Sequence, residues 1–509
     1  MRVVSLSELH ALIGEFPAGA TVATTGSGGG LMEPDVVFTA FEDVFLKTGR
    51  PGNLTFVHAL GMGDRRTKGT NRFAHDGMVR RVIGGHWIWS PRMMQMAQEN
   101  KIEAYCFPSG AITHLLREIG AGRPGLFTHV GLGTFADPRL GGGRCNTVTT
   151  EPLVEVMQID GRDVLRYRPF PVHIGIIRGT IADEDGNISA FEEPADIDAG
   201  IIAMAAANSG GKVIAQVREI RPRGSIRPRE VSVPGNMVDY VLVAPEQPQT
   251  YHGPYNQALA GLAAASEPFP TPEFADETRR VVAERAAAEL VPGSTINMGF
   301  GMSADVATVI ARSGQSAKYW FTIEQGIHNG TLLTGDLFGI AAMPAAIVTS
   351  AQQFDFYSGG GLDQAFLGMA EMDGEGNVNV SHIAGRMSGP GGFVDISQGA
   401  KTMVFCGSFA AKGVRNEIGG GRLRILAHGE VPKLVKAVAG ITFSGAQAKA
   451  RGQRVIYVTE RAVFQLTPEG VELIEVAPGV DIKSDVLDRM QFQPILKKPM
   501  TMAAQYFGG

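Results

Sequence analysis

The chain has 509 residues, of which 44% are hydrophobic and 19% are charged, and its net charge at pH 7 is −5. Single hydrophobic cores stop growing at roughly 250–300 residues, so this length predicts a soluble protein of at least two domains. The small net charge argues against a nucleic-acid partner. Three scattered cysteines exclude a disulfide framework and indicate a reducing compartment.

The N-terminal region predicts a helix and no targeting segment. Ser5-Leu6-Ser7-Glu8 fits a capping box that opens a helix through Phe16. A basic region followed by an apolar core is absent there, and no run of 18 apolar residues occurs along the chain. We therefore expect a cytoplasmic protein without a membrane segment.

Strand and helix patterns alternate almost throughout the chain. This alternation predicts α/β architecture with mostly parallel sheets. Residues 22–25 read as a strand that runs into a glycine-rich stretch, and residues 34–47 read as a helix. Further strands are predicted at residues 54–57, 82–83, 104–107 and 127–130.

A proline-rich stretch divides the chain. Prolines stand at positions 248, 254, 268, 270 and 272, so residues 246–274 are predicted to be a linker between domains 1–245 and 275–509. Beyond it the pattern begins again. Residues 17–22 are echoed by 292–296, and the Asp-x-x-Gly-Asn stretch at 183–187 is echoed at 373–377. We expect two related open α/β domains.

Glu324 ends an apolar strand. The run Tyr-Trp-Phe-Thr-Ile at 319–323 reads as buried, and it stops at Glu324, followed by Gln325 and Gly326. In open α/β sheets, ligands lie beyond the carboxyl ends of the strands. Glu324 is therefore a candidate for chemistry, although its position alone also fits a solvated glutamate at a turn.

A second pattern favours a rival function. Residues 299–304, Gly-Phe-Gly-Met-Ser-Ala, fit G-x-G-x-x-A, and Glu324 follows Ala304 by 20 residues. This is the fingerprint of a dinucleotide site with its ribose-binding acid, and it predicts a nicotinamide- or flavin-dependent oxidoreductase. Because a helix N-terminus welcomes any anion, another anionic ligand remains open, as does a tight turn without a ligand.

Three glycine loops add to the candidate site. Successive N–H groups in Gly26-Ser27-Gly28-Gly29-Gly30 could form a nest for an oxyanion, or the stretch could be a flexible loop. Residues 358–363 include Gly360 and Gly361, and residues 388–393 include Gly389. Together with a strand-end glutamate, the three loops suggest a ligand with a long contact path.

The histidines show no metal-ligand spacing, and no H-x-x-x-H motif occurs. A nucleophile elbow, a Walker lysine motif and a Cys–His pairing are absent too. His86 and His129 stand beside glycine turns, where they could line a pocket or belong to the core. No metal site is predicted.

Long motifs resemble the family I coenzyme A transferases, above all the single-chain acetate/propionate and short-chain acyl-CoA:acetate/3-ketoacid enzymes. The resemblance begins with Glu324-Gln325-Gly326 and continues in Gln-Phe-Asp-Phe-Tyr-Ser-Gly-Gly-Gly-Leu-Asp at 353–363. Residues 82–87, 128–135 and 404–409 match as well. The likeness covers nearly the whole chain and is weakest near the predicted linker.

The resemblance implies fused α-type and β-type subunits and places the nucleophilic glutamate at Glu324. A carboxylate already ionised near pH 7 needs no general base. It implies CoA exchange through a glutamyl-CoA thioester, CoA as a substrate and no tightly bound cofactor. A homo-oligomer, a tetramer by preference, is expected. An acyl-CoA hydrolase using Glu324 and an inactive CoA-binding scaffold remain alternatives.

The same resemblance suggests roles for individual residues. Gly28 and Gly29 are predicted to stabilise the tetrahedral intermediates as oxyanion donors. Other candidates are predicted to contact CoA, namely Gly299, Gly301, Gly360, Gly361, Gly389 and Lys401.

Overall fold

The computed structural model describes residues 1–265, 269, 271–383 and 385–509. The chain forms two compact units. The first contains Met1–Pro268, Ile323–Asp355 and Arg386–Asp395, and the second contains Phe269–Thr322, Phe356–Gly385 and Ile396–Gly509. These units differ from the linear division predicted at residues 246–274, because two segments beyond the proline-rich stretch make their contacts with the N-terminal part of the chain.

The first unit is built on an eight-stranded sheet whose neighbouring strands are all parallel. Its strands are β1 (Arg2–Val4), β2 (Thr21–Thr24), β3 (Leu54–His58), β4 (Val79–Gly84), β5 (Glu103–Cys106), β6 (Ile174–Arg178), β7 (Lys212–Val217) and β8 (Tyr240–Val243). Their order across the sheet is β1-β8-β7-β6-β2-β3-β4-β5.

Helices cover both faces of this sheet. They are α1 (Leu6–Glu15), α2 (Asp35–Thr48), α3 (Pro91–Gln98), α4 (Ser109–Gly120) and α5 (Ala199–Asn208). Val22 and Phe56 lie in a hydrophobic cluster with α1, α2 and α3, whereas the next residues, Ala23 and Val57, lie in one with α4 and α5. Strands buried on both faces are typical of parallel sheets and read as continuous apolar runs.

The strand order reverses beside β2. The chain proceeds from β2 through β3 and β4 to β5 in one direction, and β6 then lies on the other side of β2. Ligands of open α/β sheets bind at such switch points, outside the carboxyl ends of the strands. The glycine-rich residues 26–30 follow β2 and therefore occupy this position.

The second unit contains a mixed sheet. Its strands are β9 (Thr295–Met298), β10 (Trp320–Ile323, ending at the unit boundary), β11 (Gln364–Gly368), β12 (Thr402–Cys406), β13 (Arg454–Val458), β14 (Ala462–Thr467), β15 (Gly470–Val476) and β16 (Ile495–Thr501). Among these eight strands the order is β10-β9-β11-β12-β13-β14-β15-β16, and the pairs β13-β14 and β14-β15 are antiparallel whereas the other pairs are parallel. The order reverses at β9, so residues 299–303 follow a strand at the switch point.

The remaining helices and strands are shorter. The helices are α6 (Glu277–Ala287), α7 (Asp305–Arg312), α8 (Ser350–Ser358), α9 (Phe393–Gly399) and α10 (Gly445–Ala450). Short strands occur at Leu126–Thr128, Val154–Ile159, Arg162–Tyr167, Ile181–Asp183, Ile188–Ser189, Glu219–Arg221, Ile327–His328, Thr331–Leu332, Ala341–Ala342, Ala346–Ile347, Glu371–Met372, Val378–Asn379, His382–Ile383, Arg386–Met387, Ala410–Ala411, Arg415–Gly419, Arg422–Ala427 and Val431–Pro432.

The predicted repeat is visible as a repeated set of hydrogen bonds. Asp183 Oδ1 accepts the N–H groups of the second and fourth residues after it, and Asn187 Nδ2 donates to Asp183 Oδ2 at 3.0 Å. Asp373 and Asn377 form the same bonds, the last at 3.1 Å. The predicted fold class, two related α/β domains with mostly parallel sheets, is confirmed.

Two local expectations can also be compared with the fold. Ser5 and Glu8 form the predicted capping box at the start of α1. Tyr251, within the predicted linker, packs its ring against Gly30 and donates its N–H to Gly29 O at 2.7 Å. This part of the stretch therefore belongs to the first unit. Among the described helices, none has the length and hydropathy that crossing a membrane requires.

Candidate active site

Glu324 stands directly after β10, and the chain turns sharply behind it. The Gly326 N–H donates to Ile323 O at 2.9 Å, and Gly326 has a φ of +92°. A Cβ at this position would overlap Val348 O. Glycine is required here for both reasons, and the turn leaves the Glu324 side chain at the end of the strand.

Two donors hold the Glu324 carboxylate. One is the backbone N–H of Gly392 and the other is the side-chain carboxamide of Gln325. A Cβ on Gly392 would overlap Glu324 Oε2, so the close approach of this backbone depends on glycine. Gln325 Nε2 also donates to Ser27 Oγ at 3.3 Å. Gln325 thereby links Glu324 to the glycine loop that follows β2.

The surroundings of Glu324 change its acidity. Burial raises the pKa of Glu324 to about 7, and the hydrogen bonds from Gly392 and Gln325 oppose that rise. Burial thus opposes the ionisation expected near pH 7, whereas the two donors favour it. The residue is still partly exposed. A poorly solvated carboxylate that can be reached by a ligand is suited to act as a nucleophile.

The two predicted oxyanion donors of the glycine loop at 26–30 differ in their hydrogen bonds. The Gly29 N–H donates to Gly63 O at 3.0 Å, so the prediction for Gly29 is not supported: its donor is already used by the protein. Within the described part of the chain, the Gly28 N–H has no hydrogen-bond acceptor. A Cβ on Gly28 would overlap the Trp89 ring, which explains glycine at this position.

A buried glutamate supports this loop. Glu33 Oε1 accepts the Gly63 N–H at 2.6 Å, and Glu33 Oε2 accepts the Tyr251 hydroxyl at 2.9 Å. Burial raises the pKa of Glu33 to about 8. Because Gly63 O in turn receives the Gly29 N–H, Glu33 and Tyr251 fix the loop beside Gln325.

The loop at 388–393 brings Gly392 to Glu324. The Gly391 N–H donates to Gly85 O at 2.8 Å, after the end of β4. Gly389 has a φ of +83°, and a Cβ there would lie 2.6 Å from Gly85 O and 2.7 Å from Cys106 Sγ. Close packing against Gly85 and Cys106 accounts for Gly389, while its contact with CoA stays a prediction.

Asp395 is a second carboxyl group of this site. Its residue is 1% exposed, and its Oδ2 accepts the Gly110 N–H at 3.2 Å. Burial raises the pKa of Asp395 to about 8, and the charge of Glu324 contributes to that rise. The structure therefore contains a pair of interacting carboxyl groups that the sequence pattern did not reveal.

The G-x-G turn of the second unit has the predicted strand-to-helix form. A 3₁₀ turn over Gly301–Ala304 follows β9 and leads into α7. Ser303 Oγ donates to Gly299 O at 3.0 Å, and Gly301 has a φ of +92° with open space around it. The turn lies at the switch point of its sheet, where an anionic ligand would be bound.

The other candidates of the second unit have structural partners. The Gly360 N–H donates to Tyr357 O at 3.0 Å and the Gly361 N–H to Phe356 O at 2.9 Å, closing the end of α8. Lys401 Nζ forms an ion pair with Asp363 Oδ1 at 2.8 Å. These contacts explain the residues locally, and their binding of CoA stays a prediction.

Of the two histidines predicted beside glycine turns, His86 is a weak base. Burial lowers the pKa of His86 to about 4, so its ring is neutral at pH 7. Among the described residues, no cluster of three or more His, Cys, Asp or Glu side chains could hold a metal ion.

Comparisons with known proteins identify relatives of the full chain. The family model described as coenzyme A transferase matches residues 8–244. Acetate CoA-transferase YdiF of Escherichia coli K12 is 38% identical over 98% of this chain and 94% of its own length. Caffeate CoA-transferase of Acetobacterium woodii is 40% identical over 97% and 95%, respectively.

A solved structure agrees with these relatives. The crystal structure of the acyl-CoA transferase YdiF apoenzyme from E. coli O157:H7 superimposes with a TM-score of 0.93 at 37% identity, covering 99% of this chain and 96% of that chain. The same enzyme has been crystallised as a thioester complex with CoA, and that structure matches with a TM-score of 0.92. The oxidoreductase alternative is not favoured by these relatives.

Proposed function

The chain belongs to the coenzyme A transferase family, and we propose that it exchanges CoA between a short-chain acyl-CoA and a small carboxylic acid such as acetate, with Glu324 as the CoA carrier. The observation that carries this proposal is the Glu324 carboxylate itself. The residue follows a strand and is partly exposed, and its carboxylate is held by the Gly392 N–H and the Gln325 carboxamide.

The reaction starts from ionised Glu324. Its oxygen attacks the thioester carbonyl of acyl-CoA, the C–S bond breaks, and an acyl-glutamyl anhydride and CoA thiolate form. The thiolate then attacks the glutamyl carbonyl and expels the first carboxylate, leaving a glutamyl-CoA thioester. A second carboxylate reverses both steps and leaves as the new acyl-CoA. Each step exchanges one activated acyl group for another, so neither ATP nor a metal is needed.

Residues around Glu324 support these steps in different ways. Gly392 and Gln325 orient the carboxylate, and burial keeps it weakly solvated. The unused N–H of Gly28 is our candidate for the oxyanion donor. Such a donor contributes about 2.7–4 kcal/mol to the stability of a transition state.

The substrates follow from relatives and from the candidate contacts. The names of the two relatives specify acetate and caffeate, and we propose acetate as the acceptor and a short-chain acyl group on CoA. CoA is a substrate, and we propose no tightly bound cofactor. The contacts to CoA are proposed to come from Gly299, Gly301, Gly360, Gly361, Gly389 and Lys401. We also propose a cytoplasmic homotetramer.

Product analysis separates the proposed reaction from its neighbours. Acyl-CoA with acetate should yield acetyl-CoA, whereas acyl-CoA alone should yield little free CoA. Equal release of free CoA with and without acetate would identify a hydrolase instead. Caffeate tested in parallel would show whether a larger acid replaces acetate, and binding of NAD in a titration would contradict the proposal.

A further inference from the structure

Asp395 has one donor outside its own residue, besides its own backbone N–H. Its Oδ2 accepts the Gly110 N–H at 3.2 Å, and its Oδ1 has no hydrogen-bond partner among the described residues. An ionised carboxylate without compensating donors is costly to bury. Glu324 has two donors outside its own residue, the Gly392 N–H and the Gln325 carboxamide, and it is partly exposed, whereas Asp395 is 1% exposed. Of the two carboxyl groups, Asp395 is therefore the one that keeps a proton when only one of them ionises.

The two carboxyl groups lie near the same buried aromatic ring. A Cβ on Gly110 would overlap Asp395 Oδ1 and lie 2.8 Å from Phe354 Cγ. A Cβ on Gly392 would overlap Glu324 Oε2 and lie 3.2 Å from Phe354 Cε1. Phe354 is 0% exposed, so on the side of this ring little water screens the charges of the two groups.

We propose that Asp395 and Glu324 share one negative charge, and that Asp395 releases its proton when Glu324 becomes the neutral thioester. The proposal rests on the function proposed for Glu324. The balanced step converts Asp395-COOH, Glu324-COO⁻ and RCO-SCoA into Asp395-COO⁻, Glu324-CO-SCoA, RCOO⁻ and H⁺. The C–S bond of the substrate breaks, that of the glutamyl thioester forms, and the O–H bond of Asp395 breaks.

The N-terminus of α4 stabilises the charged form of Asp395. Gly110 is the second residue of this helix, whose positive end stabilises a nearby anion. Among the described residues, the titratable groups that interact with Asp395 are Glu324 and Tyr167. Burial raises the pKa of Tyr167 well above its usual range, so its phenol stays neutral, and its hydroxyl donates to Val130 O at 3.1 Å. Acylation of Glu324 removes the one negative charge that opposes ionisation of Asp395.

The test measures protons released when acyl-CoA is added, without a carboxylic acid, to weakly buffered enzyme containing a pH indicator. At pH 8 about nine of ten Glu324 side chains are already ionised, given a pKa of about 7, so Glu324 itself can release only about a tenth of a proton per site. Because the pKa of Asp395 is about 8, we expect a release of up to about half a proton per thioester formed. Mass spectrometry counts the thioester in the same sample.

Two variants test whether the released proton comes from Asp395. Asp395→Asn keeps the shape and the acceptor for Gly110, and it should lower the release to a tenth or less while the thioester still forms. The kcat/KM of this variant should also begin to fall at a lower pH than that of the wild type, because Glu324 loses a like-charged neighbour. Asp196→Asn is the matched control, because burial raises the pKa of Asp196 to about 7 and Asp198, not Glu324, adds to that rise. This variant should release protons like the wild type.

The outcomes separate the two proposals. Thioester formation with a wild-type release of a tenth of a proton or less overturns the role of Asp395, whether or not the variant folds. Equal release from wild type and Asp395→Asn overturns it as well. Absence of any thioester contradicts the proposed function instead.

Discussion

The backbone N–H of Gly392 donates a hydrogen bond to the Glu324 carboxylate, and a Cβ on Gly392 would overlap Glu324 Oε2. The position of the proposed nucleophile is thus set by the main chain of a distant glycine loop. That loop is itself fixed by the Gly391 N–H, which donates to Gly85 O at 2.8 Å. The packing of this glycine loop therefore fixes the position of the nucleophile.

Gly392→Ala should displace the Glu324 carboxylate from its donor. Misplacement by about 1 Å costs on the order of a hundredfold in rate, so we expect kcat to fall by about that factor with little loss of folding. Steady-state kinetics and a thermal melt check this. Gly14→Ala, in α1, is the control because a Cβ there meets nothing within 4 Å. Full activity of Gly392→Ala would show that this close approach is not needed.

The pH dependence of kcat/KM should follow the ionisation of Glu324. Because the attacking form is deprotonated, kcat/KM should fall as the pH drops through about 7. Gln325→Met removes one donor to the charged form, a bond typically worth about 1.5–3 kcal/mol, so its acidic limb should move about one to two pH units higher. Ser27→Ala removes only the other partner of Gln325 and should leave the limb in place. Coinciding limbs in all three proteins would contradict this role.

Glu33→Gln should change the pH dependence of stability. The pKa of Glu33 rises on folding from its ordinary 4.5 to about 8, so the folded protein binds this proton more tightly. The resulting stabilisation is present below pH 4.5 and is lost as the pH rises toward 8. The variant lacks this group, and its Tm should fall less between pH 5 and 8. Glu99→Gln, at an exposed residue, should retain the wild-type slope, and an equally steep slope in Glu33→Gln would refute the assignment.

The proposed tetramer has a direct hydrodynamic test. Four chains of 54.1 kDa should sediment as a species of about 216 kDa at micromolar concentration. A single species of 54 kDa under those conditions would rule out the assembly.

The strand-end position of Glu324 and the glycine loops could be predicted from the sequence, because both depend on local patterns. An apolar run marks β10, and its abrupt end at a carboxylate is visible without knowledge of the fold. The internal repeat at Asp183 and Asp373 is visible for the same reason, since each turn is closed by its own side chains.

Other parts of the site depend on tertiary structure. Gly29 looks like a free donor in the sequence, but Gly63 uses its N–H. In the sequence, Gln325 is noticed only as the neighbour of Glu324, and Asp395 belongs to no motif. Their roles depend on contacts with remote segments, Gln325 with Ser27 and Asp395 with Gly110. The raised pKa of Glu324 has the same origin, since burial is a property of the fold.

Trapping the intermediate on Glu324 tests the central claim most directly. After incubation with acyl-CoA alone, borohydride should reduce the glutamyl thioester and hydroxylamine should convert it to a hydroxamate, and both should abolish activity. Neither reagent should act before acyl-CoA is added, because a free carboxylate is inert to both. Peptide mapping by mass spectrometry should find the modification on Glu324 and none in Glu324→Gln. Modification of another residue, or of none, would contradict the account.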